Sequence, residues 1–143
     1  MKIKIQTSVA GPIGETWKAF NNPGDILQWD ATDDWRTTHA ANDLTVGGQL
    51  LLRIEGNDAG QGFDFAATYT QIELNRLIEF RDSDGHMVRL DFVESDKGIT
   101  IHQTFDADPA QPEDQQREEW QTVLDRFARY VERQFTAQKL RSP

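Results

Sequence analysis

Three polar residues on otherwise apolar strand faces are the best candidates for chemistry in this chain, namely Tyr69, His86 and Gln103. Gln103 stands between Ile101 and Phe105 on a predicted inward face, where an amide without partners costs about 1–3 kcal/mol. The amide must therefore bond a backbone group, a water or a ligand, and we favour a structural bond.

The other two candidates also have ordinary interpretations. His86 begins its predicted strand near a rim, where a histidine is more often solvated than functional. Tyr69 ends an apolar row, so core packing with its hydroxyl at the edge is the favoured interpretation. Catalysis would need such groups to converge in a cavity with shifted pKa values, and we therefore assign no catalytic residue.

Metal and cofactor motifs are weak in this sequence. Asp30, Asp33 and Asp34 lack the glycine and glutamate of an EF-hand loop, which favours a solvated loop. The histidines lack HExxH spacing, no serine-centred nucleophile motif is present, and Gly47-Gly48 lacks the flanking pattern of a phosphate loop. With no cysteine in the chain, thiolate sites are excluded. We predict neither a metal nor a cofactor.

The aromatic residues form a stronger constellation. Phe20, Trp29, Trp35 and Trp120 are predicted to surround the entrance of an apolar cavity, a composition typical of small-molecule sites. The alternative is plain core packing, which is the more common role of aromatics at helical spacing. A ligand that loses about 300 Å² of apolar surface gains roughly 7 kcal/mol before association costs, so micromolar binding needs no charged contact.

The elements that position these residues follow from hydrophobic periodicity. A long amphipathic helix over residues 118–135 carries an apolar stripe that must lie on a broad surface. Alternating runs predict the strands, and Pro12 opens the first of two short helices, with Asp25 as the cap of the second. Strands are predicted around 3–9 and over 35–40, 49–56, 61–74, 77–82, 86–94 and 99–105, and short helices over 12–21 and 25–29.

This order predicts an α+β fold, in which an antiparallel meander of about six to seven strands covers the long helix. The space between sheet and helix is the expected binding site. The residues assigned to it are Phe20, Trp29, Trp35, Phe63, Phe65, Tyr69, His86, Leu90, Gln103, Trp120, Leu124 and Phe127.

Bulk properties limit the partners. The chain has 143 residues and a formal charge of −9, without the clustered Lys and Arg that nucleic acids or anionic membranes require. It has no signal-peptide pattern and no apolar run of about 20 residues. We expect one cytoplasmic, soluble domain over 1–143 with a disordered tail at 139–143. A monomer or weak homodimer is expected.

Four features, in this order along the chain, carry a resemblance to a known superfamily. They are a helix opened by Pro12 that carries Trp17, the Asn22-Pro23 pair leading to Trp29, the run DLTVGG at 43–48, and a Glu-Trp helix with Leu124 and Tyr130. Together they resemble the START-like superfamily, and within it the subfamily named after the activator of heat-shock protein 90 ATPase. Many relatives carry Gly where this chain has Glu119, a departure expected to affect only how the helix begins.

The resemblance implies a helix-grip fold, with a curved sheet around the C-terminal helix and a hydrophobic ligand between them. The expected function is therefore binding of a lipid-like or aromatic small molecule. Two alternatives remain open, a cyclase or hydrolase that uses the same cavity and a chaperone-associated regulator of a heat-shock ATPase.

Overall fold

The computed structural model describes residues 1–58 and 60–141. Within them, seven antiparallel strands form one curved sheet in the order β1-β7-β6-β5-β4-β3-β2, and three helices lie on its inner side. This arrangement confirms the predicted helix-grip architecture. The elements are β1 (Lys2–Val9), α1 (Ile13–Asn21), α2 (Pro23–Trp29), β2 (Trp35–Asn42), β3 (Gln49–Gly56), β4 (Gly62–Glu73), β5 (Leu77–Asp82), β6 (Met87–Ser95), β7 (Gly98–Asp106) and α3 (Glu113–Arg141).

The strand faces follow the predicted alternation. Along β1, the buried residues are every second one, from Ile3 to Val9, and β7 buries Ile99, Ile101, Gln103 and Phe105 in the same way. His102 is exposed on the opposite face. Because side chains alternate between the two faces of a strand, a correct register places each of them on its predicted side.

Helix α3 also protects the edge of the sheet. β1 has a neighbouring strand on one side only, so alternate carbonyl groups would lack partners there. Side chains of α3 donate hydrogen bonds to them at the spacing of one and two helical turns. The pairs are Arg117 to the Lys4 carbonyl (2.9 Å), Gln121 to that of Gln6 (2.9 Å) and Arg129 to that of Ser8 (2.8 Å).

The far half of the sheet curves away from α3. The helix lies closest to β1, α1 and α2, whereas β3 and β4 stand off from it. Register shifts between Thr37 and His39 in β2, and between Tyr69 and Gln71 in β4, mark irregularities of the kind that bend a sheet. This curvature leaves a space between the helices and strands β2 to β5.

Several boundaries differ from the sequence predictions, most of them by one or two residues, and the helices show the larger differences. Helix α2 begins at Pro23 and is capped by Asn22, whose side chain accepts from the Gly24 amide at 3.2 Å, so the assignment of Asp25 as cap is wrong. Helix α3 begins at Glu113 rather than Glu118. The predicted disordered tail is helical as far as Arg141, and residues 142 and 143 lie outside the described residues.

The predicted hairpin at Asp84-Gly85 is confirmed between β5 and β6. Gly85 has a φ of +85°, which residues with a Cβ rarely adopt. The turn is also fixed by Asp82, whose carboxylate accepts from the amides of Asp84 and His86, both at 2.9 Å. This hairpin becomes part of the candidate site.

Candidate functional site

A cavity of about 780 Å³ occupies the space between the sheet and the helices. Strands β2 to β7 contribute one wall, and α1, α2 and the first half of α3 contribute the other. The exposed lining residues all lie at the edge where α3 begins, so this is the open end of the cavity. They include Asp34, Gln61, Phe63, Asp84 and Gln111.

The middle of the cavity is apolar. Leu50, Leu52 and Ile54 on β3 are only half-buried although they point toward the helices, because the cavity keeps them in contact with open space. Buried side chains complete this wall. They are Ile78, Phe80, Val88, Leu90 and Leu124.

A series of hydrogen bonds closes the end of the cavity opposite its open end. The Tyr69 hydroxyl donates to the Asn42 carboxamide oxygen at 2.6 Å, and the Asn42 amide donates to the Asn21 carbonyl at 2.8 Å. The Asn21 amide in turn donates to the Trp17 carbonyl at 2.9 Å. Burial raises the pKa of Tyr69 to about 12, so the phenol stays protonated and acts here as a donor.

Two of the aromatics predicted at the entrance lie inside the wall instead. Trp29 is buried, donates its indole N–H to the Ala19 carbonyl at 2.9 Å and stacks on Phe20 at 5.2 Å between ring centroids. Both rings also meet Phe127 edge-on. Phe20 and Trp29 therefore form the inner wall with the core, as the core-packing alternative predicts, and do not surround the entrance.

Trp35 and Trp120 lie near the open end of the cavity. Trp35 donates its indole N–H to Glu119 Oε1 at 2.9 Å, which links β2 to α3. Trp120 stacks on Phe105 with ring centroids 4.1 Å apart. Glu119 lies within α3, lines the cavity and partners an indole, so the expectation that it affects only the helix start is wrong.

Acidic residues dominate the charged lining. Seven carboxylate side chains line the cavity, whereas among the described lining residues there is no Lys or Arg, and His86 is the sole histidine. The Asp106 carboxylate is held by the Lys2 ammonium at 2.5 Å and by the Met87 amide at 2.8 Å, and these bonds lower its pKa. The carboxylates are Asp30, Asp34, Asp82, Asp84, Asp106, Asp108 and Glu119.

The β5–β6 hairpin brings together three side chains of the types that bind metal cations. Ligand atoms of Asp82, Asp84 and His86 lie within 4.8 Å of one another. His86 Nδ1 is 3.4 Å from the Asp82 carboxylate, so its ring is oriented by that partner. The three residues are each two positions apart, a spacing that matches no metal-binding motif, so the sequence did not predict that they lie together.

Asp30 is the acid with the most altered ionisation. Burial raises its pKa from 3.8 to about 6, although a bond from the Thr37 hydroxyl to its carboxylate, 2.7 Å long, acts in the opposite direction. The prediction of a solvated acidic loop therefore fails at Asp30, while Asp33 and Asp34 are exposed as expected. The sequence does not show locally that Asp30 is buried beside Thr37, because this depends on how β2 returns past α2.

Gln103 is the polar side chain without a protein partner in the apolar part of the wall. It is 8% exposed, and its amide forms no hydrogen bond with any residue that the structure describes. No fully enclosed side-chain nitrogen or oxygen of the described residues lacks a partner. The Gln103 amide therefore faces the open volume of the cavity, and the favoured structural bond is absent.

Eleven of the twelve residues predicted to bind a ligand line this cavity. The exception, Phe127, is fully buried in the aromatic cluster with Phe20 and Trp29. The sequence analysis missed Asp30, Asn42, Asp82 and Glu119. Asn42 was missed because the predicted β2 ended at Ala40, which left it outside the strand.

Comparison with known proteins identifies the family. The sequence profile described as "Activator of Hsp90 ATPase homolog 1-like protein" matches residues 10–132. The chain belongs to this family. The AHSA1-like protein from Aeromonas hydrophila, solved by NMR, is 35% identical over 100% of this chain and 97% of its own, with a TM-score of 0.86. The resemblance to the START-like superfamily is thereby confirmed.

Other solved structures support the same fold. Chr148 from Cytophaga hutchinsonii is 32% identical over 94% of each chain, with a TM-score of 0.81. Protein NE0264 from Nitrosomonas europaea shares the fold at 11% identity, covering 94% of this AHSA1-like chain and 96% of its own, with a TM-score of 0.80. A search among curated proteins gave no match. None of the helices in the described part of the chain has the length and apolar character needed to cross a membrane.

Proposed function

We propose that this AHSA1-like protein binds a lipophilic small molecule in the cavity between its sheet and α3. The observation that carries the proposal is the apolar cavity of about 780 Å³, within the size range of small-molecule sites. The half-buried leucines on β3 support it, because covering their apolar surface with a ligand instead of water is favourable in free energy.

The energetics are sufficient for useful affinity. Burying about 300 Å² of ligand apolar surface contributes roughly 7 kcal/mol, and association costs remove several kcal/mol of it. The remainder, about 3 kcal/mol or less, corresponds to millimolar binding, so the expected micromolar affinity also needs the apolar surface of the cavity wall that the ligand covers. The wall consists of packed side chains on strands and helices, so little further ordering cost is expected.

The arrangement of polar groups favours binding over catalysis. Tyr69 is engaged by Asn42 at the closed end, His86 pairs with Asp82 at the open end, and Gln103 lies between them on β7 without a partner. Catalysis requires a base, a nucleophile or an electrophilic group in mutual reach. These side chains do not contact one another, so the enzyme alternative loses its best candidates.

The test is an NMR titration of the ¹⁵N-labelled protein with fatty acids, sterols, flavonoids and polyketide-like aromatics. We expect saturable shifts at the indole of Trp35 and at the amides of β3 and β7. Leu52→Trp, which places an indole in the apolar middle of the cavity, should weaken the binding and alter these shifts. Leu51→Trp is the matched control, because Leu51 is 43% exposed and is not part of the cavity lining.

An absence of shifts across the panel, with a well-dispersed spectrum, would contradict the proposal. Shifts and Kd values that Leu52→Trp leaves unaltered would also contradict it, since they would report a site elsewhere. Either result would turn attention to a protein partner, including the chaperone system that gives the family its name.

A further inference from the structure

The charges and the unpaired amide of the cavity restrict what it can accept. We propose that the cavity takes lipophilic molecules that carry a neutral hydrogen-bonding group for Gln103 and no negative charge, and that a positive charge at the open end adds affinity. This inference rests on the proposed function and specifies its class of ligand.

The first argument is the one-sided charge of the lining. Seven of the described side chains that line the cavity are carboxylates, and none is a lysine or an arginine. Lys2 and Arg81 act on Asp106, whereas Asp34 and Asp84 form no ion pair with any described residue. An anionic ligand must pass these groups at the open end, and like charges repel it, whereas a protonated amine is attracted.

The second argument is independent and comes from Gln103. Its amide is 8% exposed, faces the cavity and has no hydrogen-bond partner in the described part of the protein. A carboxamide offers both a donor and an acceptor. A hydroxyl, carbonyl or amide of the ligand can satisfy it, whereas a purely apolar ligand would leave it desolvated and unpaired.

The position of Gln103 explains how the two features act together. Gln103 pairs with Leu90 of β6 and Ile5 of β1 in the sheet, so apolar side chains flank the amide along that row. The acidic hairpin of Asp82 and Asp84 lies toward the open end of the same cavity. A ligand that extends from the amide toward the open end therefore approaches these carboxylates.

The experiment uses four probes with one aromatic core: naphthalene, 2-naphthylmethanol, 2-naphthylmethylamine and 2-naphthoate. Kd values are measured by ¹H–¹⁵N NMR at about pH 7.5 and low ionic strength, where charge effects are least screened. We expect the alcohol and the amine to bind at least about fivefold more tightly than the carboxylate, and the amine's advantage to shrink in about 0.3 M salt.

Variants separate the two arguments. Asp34→Asn with Asp84→Asn should lower the amine-to-carboxylate ratio at least about twofold, whereas Glu94→Gln with Asp96→Asn, exposed positions outside the cavity, makes the same charge change and should leave it unaltered. Gln103→Leu should remove the alcohol's advantage over naphthalene, about two- to tenfold in the wild type. Gln103→Met serves if the leucine variant does not fold.

The outcomes are distinguishable. Binding of all four probes with equal affinity, or tightest binding of 2-naphthoate, overturns this inference and leaves the proposed function standing. An alcohol-to-naphthalene ratio unchanged in both Gln103 variants overturns the role of the amide. Failure of all four probes to bind removes the inference together with the proposed function.

Discussion

Asp30 gives a stability prediction with a defined sign. Its pKa is raised from 3.8 to about 6 by burial beside the cavity. Between these pH values the native state binds more protons than the unfolded state, so the free energy of unfolding falls as the pH rises through this range. The stabilising effect is fully present below the unfolded pKa and is lost above about pH 6.

The magnitude follows from linkage. The full difference between 3.8 and about 6 corresponds to about 3 kcal/mol. Between about pH 5 and about pH 7.5 the wild type should lose about 1.4 kcal/mol through this group alone. Both values are upper limits, because Asp30 keeps some contact with solvent.

Asp30→Asn removes the titration and keeps an oxygen for the Thr37 hydroxyl. We expect its stability relative to the wild type to improve by up to about 1.4 kcal/mol between about pH 5 and about pH 7.5, measured by urea denaturation followed by tryptophan fluorescence. Asp33→Asn, which removes the same charge from an exposed position of the same loop, is the control. The Asp30 carboxyl ¹³C shift should titrate near pH 6.

Two results would refute the reasoning. A difference between Asp30→Asn and the wild type that stays constant over this pH range would show that Asp30 does not change its protonation between the folded and unfolded states. A carboxyl titration at the ordinary value for aspartate would show that Asp30 is not desolvated.

Two further predictions concern packing and the open end. Phe127→Ala, which empties a fully buried position in the aromatic cluster, should cost about 3–5 kcal/mol in urea denaturation, and a loss below about 1 kcal/mol would contradict the packing described. Trp35→Phe removes the donor to Glu119 and should cost roughly 1 kcal/mol, whereas Glu119→Gln keeps an acceptor and should cost less. Equal losses in the two variants, measured in the same assay, would show that the indole bond contributes little.

The fold was predictable because its signals are local. The alternation on β1 and β7 and the stripe of α3 repeat within a few residues, so each face can be assigned without knowing its partner. The start of α3 was missed because residues 113–117 contain no apolar residue. Pro112 and the acidic pair Glu113-Asp114, which suit a helix N-terminus, were the signals available there.

The polar contacts of the site were not predictable for a different reason. Trp35 and Glu119 are 84 residues apart, and Tyr69 and Asn42 are 27 apart. The sequence gives the chemical type of each side chain, but the pairing depends on how far the sheet curves away from α3. That curvature arises from packing and from the irregularities in β2 and β4, which have no reliable local signature.

Gln103 differs from the other buried polar side chains in its hydrogen bonding. Side chains of α3 donate hydrogen bonds even to the free carbonyls of β1. No enclosed polar side-chain atom of the described residues lacks a partner. Against this background, the unpaired Gln103 amide is unusual. A leucine at this position would complete the apolar wall and avoid the cost of desolvating the amide when the cavity fills. Folding therefore gives no reason for an amide here, whereas a ligand with a hydroxyl or carbonyl group does.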